Sequence, residues 1–164
     1  MEKMVTASKI LSLDNLVSRI ESLRRSGNDI VFTNGCFDIL HVGHVRYLSA
    51  ARREGDILVV GLNSDQSVKS IKETGRPIVP QQQRAEVLAG LACVDYITVF
   101  NDPDPLSTIK ALKPDVLVKG SDWPENQIIG ADVVKKWGGK VVRVEMVPDI
   151  STSAIIRKIL RLHR

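Results

Sequence analysis

The sequence predicts an α/β fold, a Rossmann-like doubly wound parallel sheet of about five strands. Short, continuous runs rich in β-branched residues recur along the chain and alternate with segments of helical spacing. Runs of that kind belong to strands buried on both faces. The polar residues suited to chemistry cluster just after these runs, where open α/β sheets bind their ligands.

Taken in order, Leu13, Leu16, Val17, Ile20 and Leu23 recur at helical spacing between Ser12 and Ser26, and Gly27-Asn28 ends that helix. Strands are predicted at Ile30–Thr33, Ile57–Leu62, Tyr96–Phe100, Val116–Val118 and Val141–Glu145. Helices fill the intervals at His44–Arg53, Gln82–Leu91, Leu106–Leu112, Ala131–Trp137 and Ala154–Leu162. A chain of 164 residues suits one domain with one core. Residues 1–28 read as a helical extension and residues 29–164 as the α/β core. No internal repeat or low-complexity linker interrupts them.

Composition narrows the partners. No apolar run approaches the ~18–20 residues needed to cross a bilayer. Met1-Glu2-Lys3-Met4-Val5-Thr6 lacks an apolar signal core, so the cytoplasm is the expected compartment. The net charge of +4 is concentrated in part at Arg157, Lys158, Arg161 and Arg164. Without interleaved aromatics these read as a solvated helix face, so neither nucleic acid nor membrane is expected as a partner. Cys36 and Cys93 are too few for a metal site and unsuited to a disulfide in a reducing compartment. Cys36 reads as a small apolar filler. There is no GxxxxGK[ST] loop, no GxGxxG fingerprint and no zinc spacing, so no protein-held metal is expected.

The most telling stretch is Phe37-Asp38-Ile39-Leu40-His41-Val42-Gly43-His44, behind the first strand. It holds two of the chain's three histidines, spaced i and i+3 where a strand hands over to a helix. Such a junction offers backbone N–H groups and a helix dipole to a phosphate. Gly43 is expected to let the nucleotide approach closely. Other strand ends carry Asn63-Ser64-Asp65 followed by Lys69, Lys72 and Arg76, then Lys119-Gly120-Ser121-Asp122, then Ile150-Ser151-Thr152-Ser153. The serines and threonine supply hydroxyls and free N–H groups at a helix start. Lys69 and Lys72, ahead of Gly75-Arg76-Pro77, suit a mobile cationic loop over phosphates. Trp123 suits either a base stack or a cover on the core edge.

Gly35-Cys36-Phe37-Asp38-Ile39-Leu40-His41-Val42-Gly43-His44 with Ile150-Ser151-Thr152-Ser153 resembles the cytidylyltransferase-like nucleotidyltransferases. Phe32-Thr33-Asn34-Gly35, Asn63-Ser64-Asp65, Gly75-Arg76-Pro77-Ile78, Gln83-Arg84, Val94-Asp95-Tyr96 and Leu117-Val118-Lys119-Gly120 narrow this to the D-glycero-β-D-manno-heptose 1-phosphate adenylyltransferases. The resemblance runs from about Leu13 onward. It implies transfer of AMP from ATP to heptose 1-phosphate with Mg²⁺, giving ADP-heptose for lipopolysaccharide core synthesis. A homodimer and a heptose 7-phosphate kinase as pathway partner follow from the same likeness. His41, His44 and Lys72 would then be catalytic. Thr33, Asn34, Gly35, Phe37, Asp38, Gly43, Lys119, Gly120, Asp122 and Ile150 through Ser153 would hold the nucleotide. Asn63, Asp65, Lys69, Arg76 and Arg84 would serve the sugar phosphate. Pro148-Asp149-Ile150 is similar to glycerol-3-phosphate cytidylyltransferases, so a cytidylyl donor or another phosphorylated alcohol or sugar is the alternative. A non-catalytic nucleotide sensor is the alternative of another class, and the intact set of histidines and lysines counts against it.

Overall fold

The computed structural model describes residues 5–162. Met1–Met4 of the N-terminal reading and Arg164 of the basic tail lie outside the described residues.

The elements follow in the order α1 (Leu13–Arg25), β1 (Ile30–Gly35), α2 (Val42–Arg52), β2 (Ile57–Asn63), α3 (Asp65–Ile71) and α4 (Gln81–Ala89). After them come β3 (Tyr96–Phe100), α5 (Leu106–Leu112), β4 (Val116–Gly120), α6 (Ala131–Lys136), β5 (Lys140–Val144) and α7 (Thr152–Leu162). The five strands form one parallel sheet in the order β3-β2-β1-β4-β5. β1 lies at its centre, which is why Ile30, Val31, Phe32 and Thr33 are all buried.

Alternation along the strands sorts the apolar residues to two faces. Ile30, Phe32 and Val59 pack with Leu16 and Ile20 of α1, Ile109 and Leu112 of α5 and Val134 of α6. Val31, Leu58 and Val60 pack instead with Leu48 of α2 and Ala85, Leu88 and Ala89 of α4. The sheet is thus covered on both sides, as the buried runs require. Ahead of α1, the Ile97 amide donates to the Lys9 carbonyl at 2.8 Å and the Leu11 amide to the Ile97 carbonyl at 2.9 Å. This lays the N-terminal segment along the β3 edge and satisfies backbone groups that an edge strand would leave open. Among the described residues no helix is long and apolar enough to cross a membrane.

The largest departure from the sequence reading is α3. Lys69 and Lys72 suit a mobile cationic loop by sequence, yet Lys69 lies within helical Asp65–Ile71 and Lys72 caps its end, with Ser64 accepting the Ser67 amide at 3.1 Å as the N-terminal cap. Val68 and Ser67 are its buried residues, which is too short a stripe to stand out as a period.

Candidate active site

The site begins where β1 ends. Beyond Gly35 the chain turns through Cys36–Leu40 and enters α2, with His41 as the residue preceding its first turn. Phe37 and Ile39 adopt φ of 45° and 55°. Left-handed backbone is costly for such side chains, by about 1–3 kcal/mol each, so the surroundings must hold the loop. Two braces do so.

The first is Asp38, whose carboxylate is buried. It accepts from Arg76 Nε at 2.6 Å, from the Ile78 amide at 2.9 Å and from the Val79 amide at 2.9 Å. Burial pushes the carboxyl up, but these hydrogen bonds outweigh it and hold it below the usual carboxylate range. The second is Arg84, the largest fully buried side chain among the described residues. Its guanidinium donates to the carbonyls of Val79 at 2.9 Å, Cys36 at 2.6 Å and Asn63 at 2.9 Å, and to the Asp65 carboxylate at 2.8 Å. One side chain therefore ties the ends of β1 and β2 to the starts of α3 and α4. A planar fork of five donors suits that task.

These braces present the histidines. The rings of His41 and His44 stack with centroids 3.8 Å apart and planes at 23°. Phe37 meets the His44 ring edge-on at 5.3 Å. The Nδ1 atoms of both rings are buried and find no hydrogen-bond partner among the described residues. A tautomer with its proton on Nε2 leaves only a lone pair unpaired inside, and leaves Nε2–H for the cavity. Burial, helped by the neighbouring ring of His41, lowers His44 to about 4. Burial lowers His41 as well. Both rings are neutral donors at neutral pH until a phosphate arrives.

A cavity of about 450 Å³ opens over the pair. On the β4 side it is lined by Asn34, Lys119, Gly120, Asp122 and Trp123, and on the β5–α7 side by Met146 and Ile150 through Ser153. Lys119 Nζ donates to Asn34 Oδ1 across the sheet, and its burial lowers it to about 8. Ser151 Oγ accepts the Ala154 amide at 3.1 Å, an ordinary helix cap. Thr152 Oγ1 donates to the Asp38 carbonyl and so fastens α7 to the histidine loop. The cavity also takes in Gly35, Phe37, Asn63 and Lys72, the last at the end of α3.

Several residues expected to bind ligand do other work. Thr33 is wholly buried, its hydroxyl 2.7 Å from that of Tyr47. Gly43 faces packing rather than nucleotide: a Cβ there would meet the His41 ring at 3.0 Å and Ile150 at 3.2 Å. Asp65 pairs with Arg84, and Lys69 is exposed on α3; neither lines the cavity, nor does Arg84. Arg76 and Asp38 border the cavity; Arg76 gives its Nε to Asp38, whose carboxylate also takes the Ile78 and Val79 amides. Cys36 also borders it, with burial pushing its thiol up, which disfavours the thiolate form.

The sequence reading missed Tyr47. Its hydroxyl donates to the Val118 carbonyl at 3.1 Å, binding α2 to β4, and the ring lines the cavity. Its place three residues past His44, on the buried face of α2, is the signal that could have found it. Ile71, Asp104 between two prolines, and Gln127 through Ile129 complete the walls.

Comparison with known proteins agrees with this geometry. The cytidylyltransferase-like family model matches residues 32–158, from the middle of β1 into α7. The bifunctional protein HldE of Methylobacillus flagellatus is 52% identical over 153 residues, covering 93% of this chain and 31% of that protein. HldE of Geobacter metallireducens is 50% identical over 156 residues, covering 95% of this chain and 32% of that protein. The chain therefore spans about a third of the length of these curated relatives. Among solved structures, the lipopolysaccharide core biosynthesis protein of Thermoplasma volcanium superposes with a TM-score of 0.61 at 29% identity, covering 73% of this chain and 97% of that one. Pantoate-beta-alanine ligase of Francisella tularensis shares the fold, with a TM-score of 0.56 at 18% identity over 93% of this chain and 78% of that one. With its matched segment carrying the stacked histidines, the parallel sheet and the start of α7, the chain belongs to the cytidylyltransferase-like family.

Proposed function

We propose that the chain is a nucleotidyltransferase that moves AMP from ATP to D-glycero-β-D-manno-heptose 1-phosphate, giving ADP-heptose and pyrophosphate for the lipopolysaccharide core. The observation that carries the chemistry is the stacked, neutral His41–His44 pair at the start of α2, which lines the cavity with both Nδ1 atoms buried. The likeness to bifunctional HldE proteins and to a lipopolysaccharide core biosynthesis protein supports the sugar.

An oxygen of the acceptor phosphate attacks the α-phosphorus of ATP, the bond from that phosphorus to the bridging oxygen breaks, and pyrophosphate leaves with the electron pair. The nucleophile is already anionic at neutral pH, so no general base is needed. What the protein supplies is alignment and cancellation of charge. Nε2–H of His41 and His44 donate to the α-phosphate oxygens as negative charge accumulates there. Lys72 lies at the cavity edge, where it would neutralise the transferring phosphate. Amides at the start of α7, with the Ser153 hydroxyl, would hold the outer phosphates.

Mg²⁺ would come with the triphosphate and offset its charge. Among the described residues no three His, Cys, Asp or Glu side chains form a metal cluster. Of the carboxylates that line the cavity, Asp122 lies on the β4 side and would join phosphate oxygens and water around the ion.

Incubation with ATP, Mg²⁺ and heptose 1-phosphate should give a product with the mass of ADP-heptose. A product formed only from CTP or only with glycerol 3-phosphate would replace donor or acceptor while keeping the transfer chemistry.

A further inference from the structure

We propose that α7 is a docking helix for an anionic lipid surface, lying along it by the apolar stripe of its outer end. Spacing makes the stripe. Ile155, Ile159 and Leu162 recur at i, i+4 and i+7, and Ile156 and Leu160 at i and i+4, so the five share one face of the helix. Arg157, Lys158 and Arg161 fall on the other face. The charges alone read as a solvated face; the structure adds that the apolar face opposite them is bare at its outer end.

The fold uses only the start of that stripe. Thr152 is buried, its hydroxyl on the Asp38 carbonyl, and Ile155 and Ile156 are half-buried. Farther along, Ile159 is 49% exposed, Leu160 58% and Leu162 70%. Single apolar side chains are ordinary on a surface, but three within one helical turn, in line with two half-buried ones, make a patch. The basic face is unpartnered as well. Arg157, Lys158 and Arg161 form no ion pair among the described residues. No Asp or Glu occurs between Ile150 and Arg164.

Size and charge select the occupant. Three side chains fall far short of the roughly 800 Å² per partner that a stable association of two copies buries, and the two helices would carry like charge. A protein groove pairs its acids with individual cations. Here Arg157 and Lys158 stand about 100° apart around the axis with Arg161 between them, a wide spread for one groove rim. A lipid surface makes no such demand. Its negative potential is continuous and acts over roughly 8–10 Å, about the diameter of a helix, so all three cations feel it. Arg157 precedes Leu160 by three positions and Lys158 precedes Leu162 by four, so these two cations border the stripe. Their long stems let the charges reach headgroups while the aliphatic side chains insert.

The test is co-sedimentation of the full chain with phosphatidylglycerol vesicles and with phosphatidylcholine vesicles, no substrate being present. We expect binding to the anionic vesicles roughly 10-fold tighter than to the neutral ones, and release by added salt. Leu160→Gln combined with Leu162→Gln removes the exposed end of the stripe and leaves every cation and Thr152 in place. An unchanged melting temperature is its control for folding. The double variant should bind the anionic vesicles about 10-fold more weakly, since each change withdraws an aliphatic side chain from the interface. Equal binding by wild type and variant would overturn the docking stripe and leave charge alone. Failure to bind either vesicle would overturn the proposal outright. Self-association lost in the same variant would then assign the stripe to a second copy, and its absence would leave an acidic partner protein. Each outcome is read without ATP or acceptor, so it stands or falls apart from the transfer reading.

Discussion

The two sides of the cavity are built to opposite rules. On the side of the histidine loop, charge is buried and cross-linked: Asp38 is 1% exposed, Arg84 2% and Arg76 7%. Their hydrogen bonds hold two left-handed residues, Phe37 and Ile39, in a loop that would otherwise relax. On the opposite side Trp123 is 52% exposed and Met146 38%, and Thr152 is the one buried residue among the described residues of α7. The difference teaches where precision is spent. Stabilising charge at one phosphorus demands donors fixed to a fraction of an ångström, whereas holding a nucleotide tolerates groups that settle on binding.

Breaking the braced side should cost stability first. Arg84→Met removes every donor of the central fork and leaves Asp65 and three carbonyls without it. We expect a loss of about 3–5 kcal/mol in denaturant unfolding, the scale of breaking a buried charge network. Substituting the group that the brace presents should spare stability and strike turnover. His44→Ala is expected to depress kcat roughly 100-fold or more, as on losing one charge-stabilising donor, with the circular dichroism of the wild type. Near-normal turnover in a folded His44→Ala protein would remove the histidine from the mechanism.

The same side should carry a pH signature. Both histidines bind protons more weakly in the folded chain than in the unfolded one, because burial disfavours the charged ring. The unfolded chain therefore takes up more protons as pH falls. Stability should be full above about 6.5 and decline as pH drops toward the His44 value of about 4. His44→Gln should flatten that decline relative to wild type in unfolding experiments across the window. An equal decline in both proteins would place its origin elsewhere.

The open side should give the smallest effect on stability. Trp123→Ala is expected to change unfolding free energy by no more than about 0.5 kcal/mol, since the ring is half exposed. The KM for the nucleotide should rise instead. A large loss of stability there would erase the contrast between the two sides.

Much of this was legible in the residues. The buried strand runs placed all five strands to within a few positions, because Val and Ile runs such as Ile57–Leu62 admit little else in a sheet covered on both faces. The histidine pair was legible for a related reason, since its spacing on a strand–helix junction has few structural explanations. The braces were not. A charged residue looks the same in sequence whether it meets a ligand or a carbonyl, so nothing in the residues themselves set Asp65, Arg76 and Arg84 apart from the sugar-phosphate role that the family resemblance implied. A finer pattern was present for Arg84, which shares the buried face of α4 with Ala85, Leu88 and Ala89. A charge on an apolar stripe signals an internal partner rather than a ligand. Gly43 misled for the opposite reason: the close approach it permits is by His41 and Ile150 of the protein itself.

The most direct measurement of the central claim is pyrophosphate release with Mg²⁺, crossing ATP and CTP against heptose 1-phosphate and glycerol 3-phosphate. The account predicts release with ATP and heptose 1-phosphate, abolished when the acceptor is omitted. Nucleotide binding without release in any of the four combinations would contradict it and leave a nucleotide sensor on the same fold.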